Sequence, residues 1–269
     1  MASVGLSLTP KEILLPFQNR RLLAASLLAN FILVPLFAYL LLLFFPLGKG
    51  MATGLIIVSF AAGAPSLPKI AELTRGNVAY AVGLMALLMV ATVVWLPLVI
   101  PFALPGIAVN PAATAYTLII FMLIPLVACL GIRMRHEAFA KKVYPVMDAI
   151  TNLSIVAIFV IFGIAFLSRL GDFFNAFTGT GAVVMAVIFV IGAWGIGYLT
   201  GGPVREERTV LGYGTGFRNV SAALLVVTAN FTEPTIILMV LAITIFGVVI
   251  CGIMVGVQYC RCLQADSPV

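Results

Sequence analysis

Charge is what this chain has least of. Asp, Glu, Lys and Arg make up 9% of its 269 residues, against about 25% in an ordinary soluble domain. A soluble fold needs more charged surface than that, so the composition, 63% hydrophobic, places the chain in a bilayer. Alternation of polar and apolar residues is also missing. Uncharged runs of spanning length recur instead, which excludes a β-barrel and fits a helical bundle. Histidine occurs once, as His136 in a charged loop, and the four cysteines (Cys129, Cys251, Cys260, Cys262) fall inside or just after apolar runs. That excludes a disulfide framework, and Cys260 with Cys262 lacks the neighbours a metal pair needs, so no metal site is expected. Nothing in this stretch resembles a cleavable signal, since the first apolar run starts after Arg21 and is about 24 residues long. The net charge of +6 comes from 15 basic residues scattered at the ends of apolar runs. They form no basic face, which excludes nucleic acid as a partner. No motif for enzyme catalysis or for a cofactor is present.

What is present is a series of apolar runs, at 22 to 45, 51 to 74, 78 to 102, 112 to 132, 143 to 168, 181 to 200, 209 to 231 and 235 to 258. We expect an all-α integral membrane protein of about eight spans, one membrane domain over 1–269. Excess Lys and Arg stays in the cytoplasm, and the basic residues sort by side. Lys11, Arg20, Arg21, Lys69, Arg75, Arg133, Arg135, Lys141, Lys142, Arg205, Arg208 and Arg261 fall on one side, Lys49 and Arg169 on the other. Both termini are therefore expected in the cytoplasm, with the chain in a plasma or bacterial inner membrane. Thr9-Pro10-Lys11-Glu12 has the grammar of a helix start and predicts a short interfacial helix before Arg20.

Two spans should be broken. In Ser59-Phe60-Ala61-Ala62-Gly63-Ala64-Pro65-Ser66-Leu67-Pro68-Lys69, Pro65 and Pro68 each remove a backbone donor and clash with the preceding turn. In Gly212-Tyr213-Gly214-Thr215-Gly216-Phe217-Arg218-Asn219, alternate glycines, Gly214 and Gly216 among them, weaken the helix just before Arg218. Arg218 lies ten residues into an uncharged stretch, which at about 1.5 Å per residue carries it to the middle of a bilayer about 30 Å thick. A cation there marks a functional site by default. The broken segments also match at their ends, Leu73-Thr74-Arg75-Gly76-Asn77 and Val227-Thr228-Ala229-Asn230-Phe231, with Leu73 and Val227 154 residues apart. An odd number of crossings separates them, so the units point opposite ways. Paired interrupted helices in an inverted repeat point to a secondary transporter's binding site.

Gly5-Leu6-Ser7-Leu8-Thr9-Pro10, Leu73-Thr74-Arg75-Gly76-Asn77 and Gly216-Phe217-Arg218-Asn219, in this order and spacing, resemble the bile acid:sodium symporter family. The resemblance implies ten spans in two inverted repeats, a core domain holding two crossed broken helices (here about 22–102 and 181–258) and a flatter panel (about 112–168). It places Met1 to Leu8 at the last turn of a second span, so two panel helices are missing and we expect a start further upstream. It also implies two sodium ions held by oxygen ligands. At the positions that would supply them this chain has Leu67, Pro68, Ala81, Met85, Gly214 and Arg218, and only Asn219 keeps its type. We expect transport of small organic anions without sodium, Arg218 taking the place of an ion.

The substrate-binding candidates are Arg218, Asn219, Ser66, Phe217 and Ser221, set at two half-helix N-termini whose free donors suit an anion. The bland alternatives stay open: Arg218 bonded to carbonyls freed by the break, and the Ser66 and Ser221 hydroxyls bonded to their own helices. Lys69, Glu72 and Asp148 are candidates for gating or coupling, and Lys69 with Glu72 could simply pair. Asn30 and Asn152 are expected to bond across helices, and Gly252 and Gly256 to let helices pack closely. An arsenite-type efflux permease would need a reactive cysteine near a break, and none is expected there, since Cys129 lies in the fourth span. A membrane scaffold or truncated remnant is the alternative from another class.

Overall fold

The computed structural model describes residues 1–9, 18–105, 107, 109–168 and 181–266. The expected interfacial helix after Thr9 lies outside them, as do the side chains of Asn152 and Cys262. Among the described residues the chain is all helix and loop. In chain order the helices are α1 (Ala2–Ser7), α2 (Arg20–Phe44), α3 (Lys49–Phe60), α4 (Leu67–Leu73), α5 (Val78–Ala103), α6 (Pro111–Arg135), α7 (Glu137–Ser168), α8 (Ala182–Thr200), α9 (Arg205–Gly216), α10 (Val220–Asn230) and α11 (Pro234–Asp266). Six segments are long and apolar enough to cross a membrane: α2, α5, α6, α8, α9 with α10, and α11. Of the eight expected spans, the second falls short of that length because it is split into α3 and α4, and the fifth lies within α7.

Both breaks occur where local chemistry demands them. Helix α3 ends at Phe60, where the Ala61 N–H closes a last i→i−3 bond on the Val58 carbonyl, residues 61–64 are not helical, and α4 starts at Leu67 with Pro68 in its first turn, where a missing N–H costs nothing. Gly63 makes the reversal possible. Its φ is +83°, and a Cβ there would lie 2.6 Å from the backbone nitrogen of Met89 in α5. The hydroxyl of Thr92 secures the same stretch, accepting from the Ala62 N–H at 3.1 Å and donating to the Ala62 carbonyl at 3.0 Å. Gly63→Ala should cost about 2–4 kcal/mol, from left-handed strain and overpacking together. Thermal melting in detergent measures it, and an unchanged midpoint would show that the turn does not need glycine. The second break follows its glycines: α9 ends at Gly216, and α10 begins after Asn219, whose Oδ1 accepts from the Ala222 N–H at 3.1 Å.

Two other helices bend without breaking. Phe31-Ile32-Leu33-Val34-Pro35-Leu36 in α2 and Phe121-Met122-Leu123-Ile124-Pro125-Leu126 in α6 each follow or contain a π-helical turn, Ala29–Leu33 and Ile119–Leu123. In each, the proline ring has no N–H and crowds the carbonyl four residues back, so the ladder widens by one residue. The Val34 N–H reaches back to Ala29 and the Ile124 N–H to Ile119. In α2 this has a specific result. The Asn30 carbonyl loses Val34 to Ala29, and its next candidate donor, Pro35, has none.

Helices α8, α9 and α11 pack together, α11 also lies along α3, and α5 supports α4 and α9. Helix α1 packs on the second half of α6 and on α7, while the first half of α6 sits against α5 and α10. One expectation fails: a Cβ on Gly252 or Gly256 would meet nothing within 4 Å. Among the described residues nothing packs on that face of α11.

Candidate functional site

The two breaks meet. The Asn219 N–H donates to the Ala61 carbonyl at 2.8 Å, tying the start of α10 to the unwound stretch after α3. Arg218, 5% exposed, reaches across the same junction. Its Nε donates to the Val58 carbonyl at 3.2 Å and its Nη2 to the Ser59 carbonyl. These are among the last four carbonyls of α3, and that of Val58 also accepts from the Ala61 N–H at 3.0 Å. Nη1 donates to Asn30 Oδ1 at 2.8 Å and to the Thr215 carbonyl at 3.4 Å, near the end of α9. Nη2 also donates to the Asn30 carbonyl at 3.4 Å, the one orphaned by the π turn.

A guanidinium has five N–H donors, and here five oxygens receive them. All five acceptors are neutral. Among the described residues no carboxylate lies within ion-pair distance of Arg218. What balances its charge is the C-terminal ends of α3 and α9, each carrying the equivalent of about −0.5 charge. The Asn219 carboxamide beside it differs: its Oδ1 caps α10, but its buried Nδ2 has no hydrogen-bond partner. A buried amide nitrogen without an acceptor costs about 1–3 kcal/mol, and it sits at an N-terminus with the equivalent of about +0.5 charge.

Residues standing where the resemblance implies sodium ligands are packed with hydrocarbon. Leu67 and Ala81 are fully buried, Met85 is 1% exposed, Pro68 is half-buried, and a Cβ on Gly214 would touch the Leu67 and Leu84 side chains at 3.2 and 3.5 Å. A hard cation has no oxygen cage among those side chains.

Ser66 and Ser221 are both exposed, as is Pro65, and Ser66 makes no side-chain cap bond to α4. Phe217 is half-buried against the core at the end of α9. Lys69 and Glu72 form an ion pair at 2.9 Å, with both side chains mostly exposed. Asp148 in α7 is in electrostatic reach of Lys69.

The first 173 residues match the model of the sodium bile acid symporter family. The chain belongs to this family. Its members are transporters rather than enzymes, and this one is a multi-pass membrane protein. The matched stretch contains the first break and α1 to α7; Arg218 lies beyond it. No curated protein matches the chain.

Sequence reasoning missed two features of this symporter-family site. Asn30 bonds across helices as expected, but the identity of its partner was not foreseen: it supplies two of the five acceptors around Arg218. The nearest signal was Pro35, which in a regular α-helix frees the Phe31 carbonyl; only the π turn passes the missing donor to Asn30. The other correction concerns cysteine. Cys251 lies beside the second break, its Sγ 3.5 Å from where a Cβ on Gly216 would be, because packing of α11 brings its middle there. Its thiol is fully buried, and a buried thiol packs as a small hydrophobe. Cys129 instead packs against α1 at Gly5, away from both breaks.

Proposed function

We propose that this chain is a secondary transporter of small organic anions that works without sodium, with the Arg218 guanidinium permanently holding the place of a bound cation. The observation that carries the reading is the shell of Arg218: five neutral oxygens, drawn from two helix C-termini, the Asn30 carboxamide and the orphaned Asn30 carbonyl. Half-helix C-termini and unwound carbonyls are what hold coupling cations in broken-helix transporters, while half-helix N-termini face anionic substrate groups. Here a side chain fills the first role, and the hydrocarbon around Gly214 leaves no side-chain ligands for the second ion that the resemblance implies.

The anion binds beside Arg218, not against it, since all five donors are engaged within the protein. Its contacts are the unpaired Asn219 amide and the first turn of α10, with Ser66 and Ser221 orienting it and Phe217 covering its apolar body. We take the chain to cross the membrane eight times with both termini cytoplasmic, its core moving against the α6–α7 panel. The Lys69–Glu72 pair and Asp148 guard the cytoplasmic entrance. In proteoliposomes, uptake of radiolabelled organic carboxylates and sulfonates should be equal in sodium and in choline buffers. Uptake that requires a sodium gradient would sink the sodium-free mechanism. No uptake of any anion from correctly folded protein would favour a scaffold role.

A further inference from the structure

The matched sequence ends of the broken spans, Leu73 to Asn77 and Val227 to Phe231, have opposite structural fates. Asn77 serves its own neighbour: its Oδ1 accepts from the Tyr80 N–H at 3.0 Å and caps α5. Asn230 reaches another helix. Its Oδ1 accepts from the Asn110 N–H at 3.0 Å and its Nδ2 donates to Thr114 Oγ1 at 2.8 Å, both at the start of α6. A third bond, from Nδ2 to the Val226 carbonyl at 2.9 Å, holds the carboxamide in place on α10.

The receiving end is equally ordered. Asn110 Oδ1 caps α6 by accepting from the Ala112 and Ala113 N–H groups at 3.0 and 3.1 Å, and the Thr114 hydroxyl donates to the Asn110 carbonyl at 3.0 Å. Thr114 is fully buried and begins a stripe along α6 that continues through Leu118, Met122 and Leu126. At the other end of the bundle, Pro65, Ser66, Lys69 and Glu72 of the first broken span are exposed. Helix α10 is thus tied to α6 by directional bonds, at a rim where Asn110 itself is exposed.

We infer that the Asn230–Asn110–Thr114 cluster is the latch that keeps the outer face shut, and that it must part for the carrier to open outward. The inference rests on the alternating-access reading above. Its physical basis is the directionality of the bonds. Apolar side chains on α6 and α10 can slide past one another at little cost, but a carboxamide that reads one N–H and one hydroxyl holds a single register. Parting it exchanges two protein bonds for water, each worth about tenfold or less in the equilibrium between closed and open forms.

The test uses the full chain in sealed, oriented vesicles, with the native cysteines replaced and a single reporter, Ser221→Cys, beside the crossing. A membrane-impermeant maleimide is applied from either side. In the parent protein the reporter should label from the cytoplasmic side and slowly from outside. Asn230→Ala and the near-isosteric Thr114→Val should each speed outside labelling about tenfold. The double variant should exceed the single ones only slightly, because both act on one cluster. If both single variants fold and label from inside at the parental rate, and outside labelling does not change, the latch is refuted while alternating access stands. If the parent labels equally from both sides, the moving-barrier reading fails and the latch falls with it.

Discussion

Arg218→Gln lowers anion uptake about a hundredfold. The two helix C-termini that now end on the guanidinium together carry about −1 charge, so removing the cation leaves a negative pole beside the anion's seat. A unit charge about 6 Å away at an effective dielectric of about 20 is worth roughly 3 kcal/mol, which is the hundredfold. Stability falls as well, because five buried acceptors lose their donor. A companion variant separates charge from fold. Arg218→Gly leaves an open cluster of five oxygens of the kind a hard monovalent cation takes. Its melting temperature should rise with sodium chloride and not with choline chloride, and uptake should become sodium-dependent. Equal melting in the two salts would show that the cluster is not a cation site and that Arg218 only caps α3 and α9.

Asn30→Asp is the second large effect, and it leaves Arg218 in position. The variant sets a carboxylate where Asn30 Oδ1 now accepts from Nη1 at 2.8 Å. The guanidinium keeps its acceptors and gains an ion pair, which offsets the loss of the Asn30 Nδ2 bond to the Ser26 carbonyl at 3.0 Å, so melting should stay close to that of the parent. The net charge at the crossing nevertheless drops by one, and anion uptake should fall by about the same hundredfold as in Arg218→Gln. A purely structural arginine predicts the reverse, with uptake preserved in the variant. Uptake measured beside thermal melting on the same preparation distinguishes the two. Asn30→Leu is the control: it removes one acceptor without adding charge, and it should lower stability more than affinity.

Much of this site was legible in the chain because its causes are local. Pro65, Pro68 and the run from Gly212 to Gly216 disrupt helix hydrogen bonding wherever they stand, so both breaks could be placed before any contact was known. Arg218 announced itself by its cost in an apolar stretch. Its partners did not. Asn30 is 188 residues away in sequence, and its carbonyl is free only because Pro35 forces a π turn at that level. Cys251 reaches the second break through the packing of α11, and no motif around it carries that information. Gly252 and Gly256 show the converse, a familiar spacing with nothing among the described residues packed on it.

By itself, then, the sequence determined the class: a polytopic helical membrane protein with two interrupted spans and a charge at the second. Composition, hydrophobic run length and backbone chemistry act within a few residues and need no tertiary partner. Only the tertiary structure decided what that charge does. It brought the C-terminal ends of α3 and α9 and the π turn of α2 around one guanidinium, left the Asn219 amide unpaired beside it, and joined Asn230 to α6. Those outcomes depend on which helix ends converge, and hydrogen-bond geometry between distant segments exists only once they have packed.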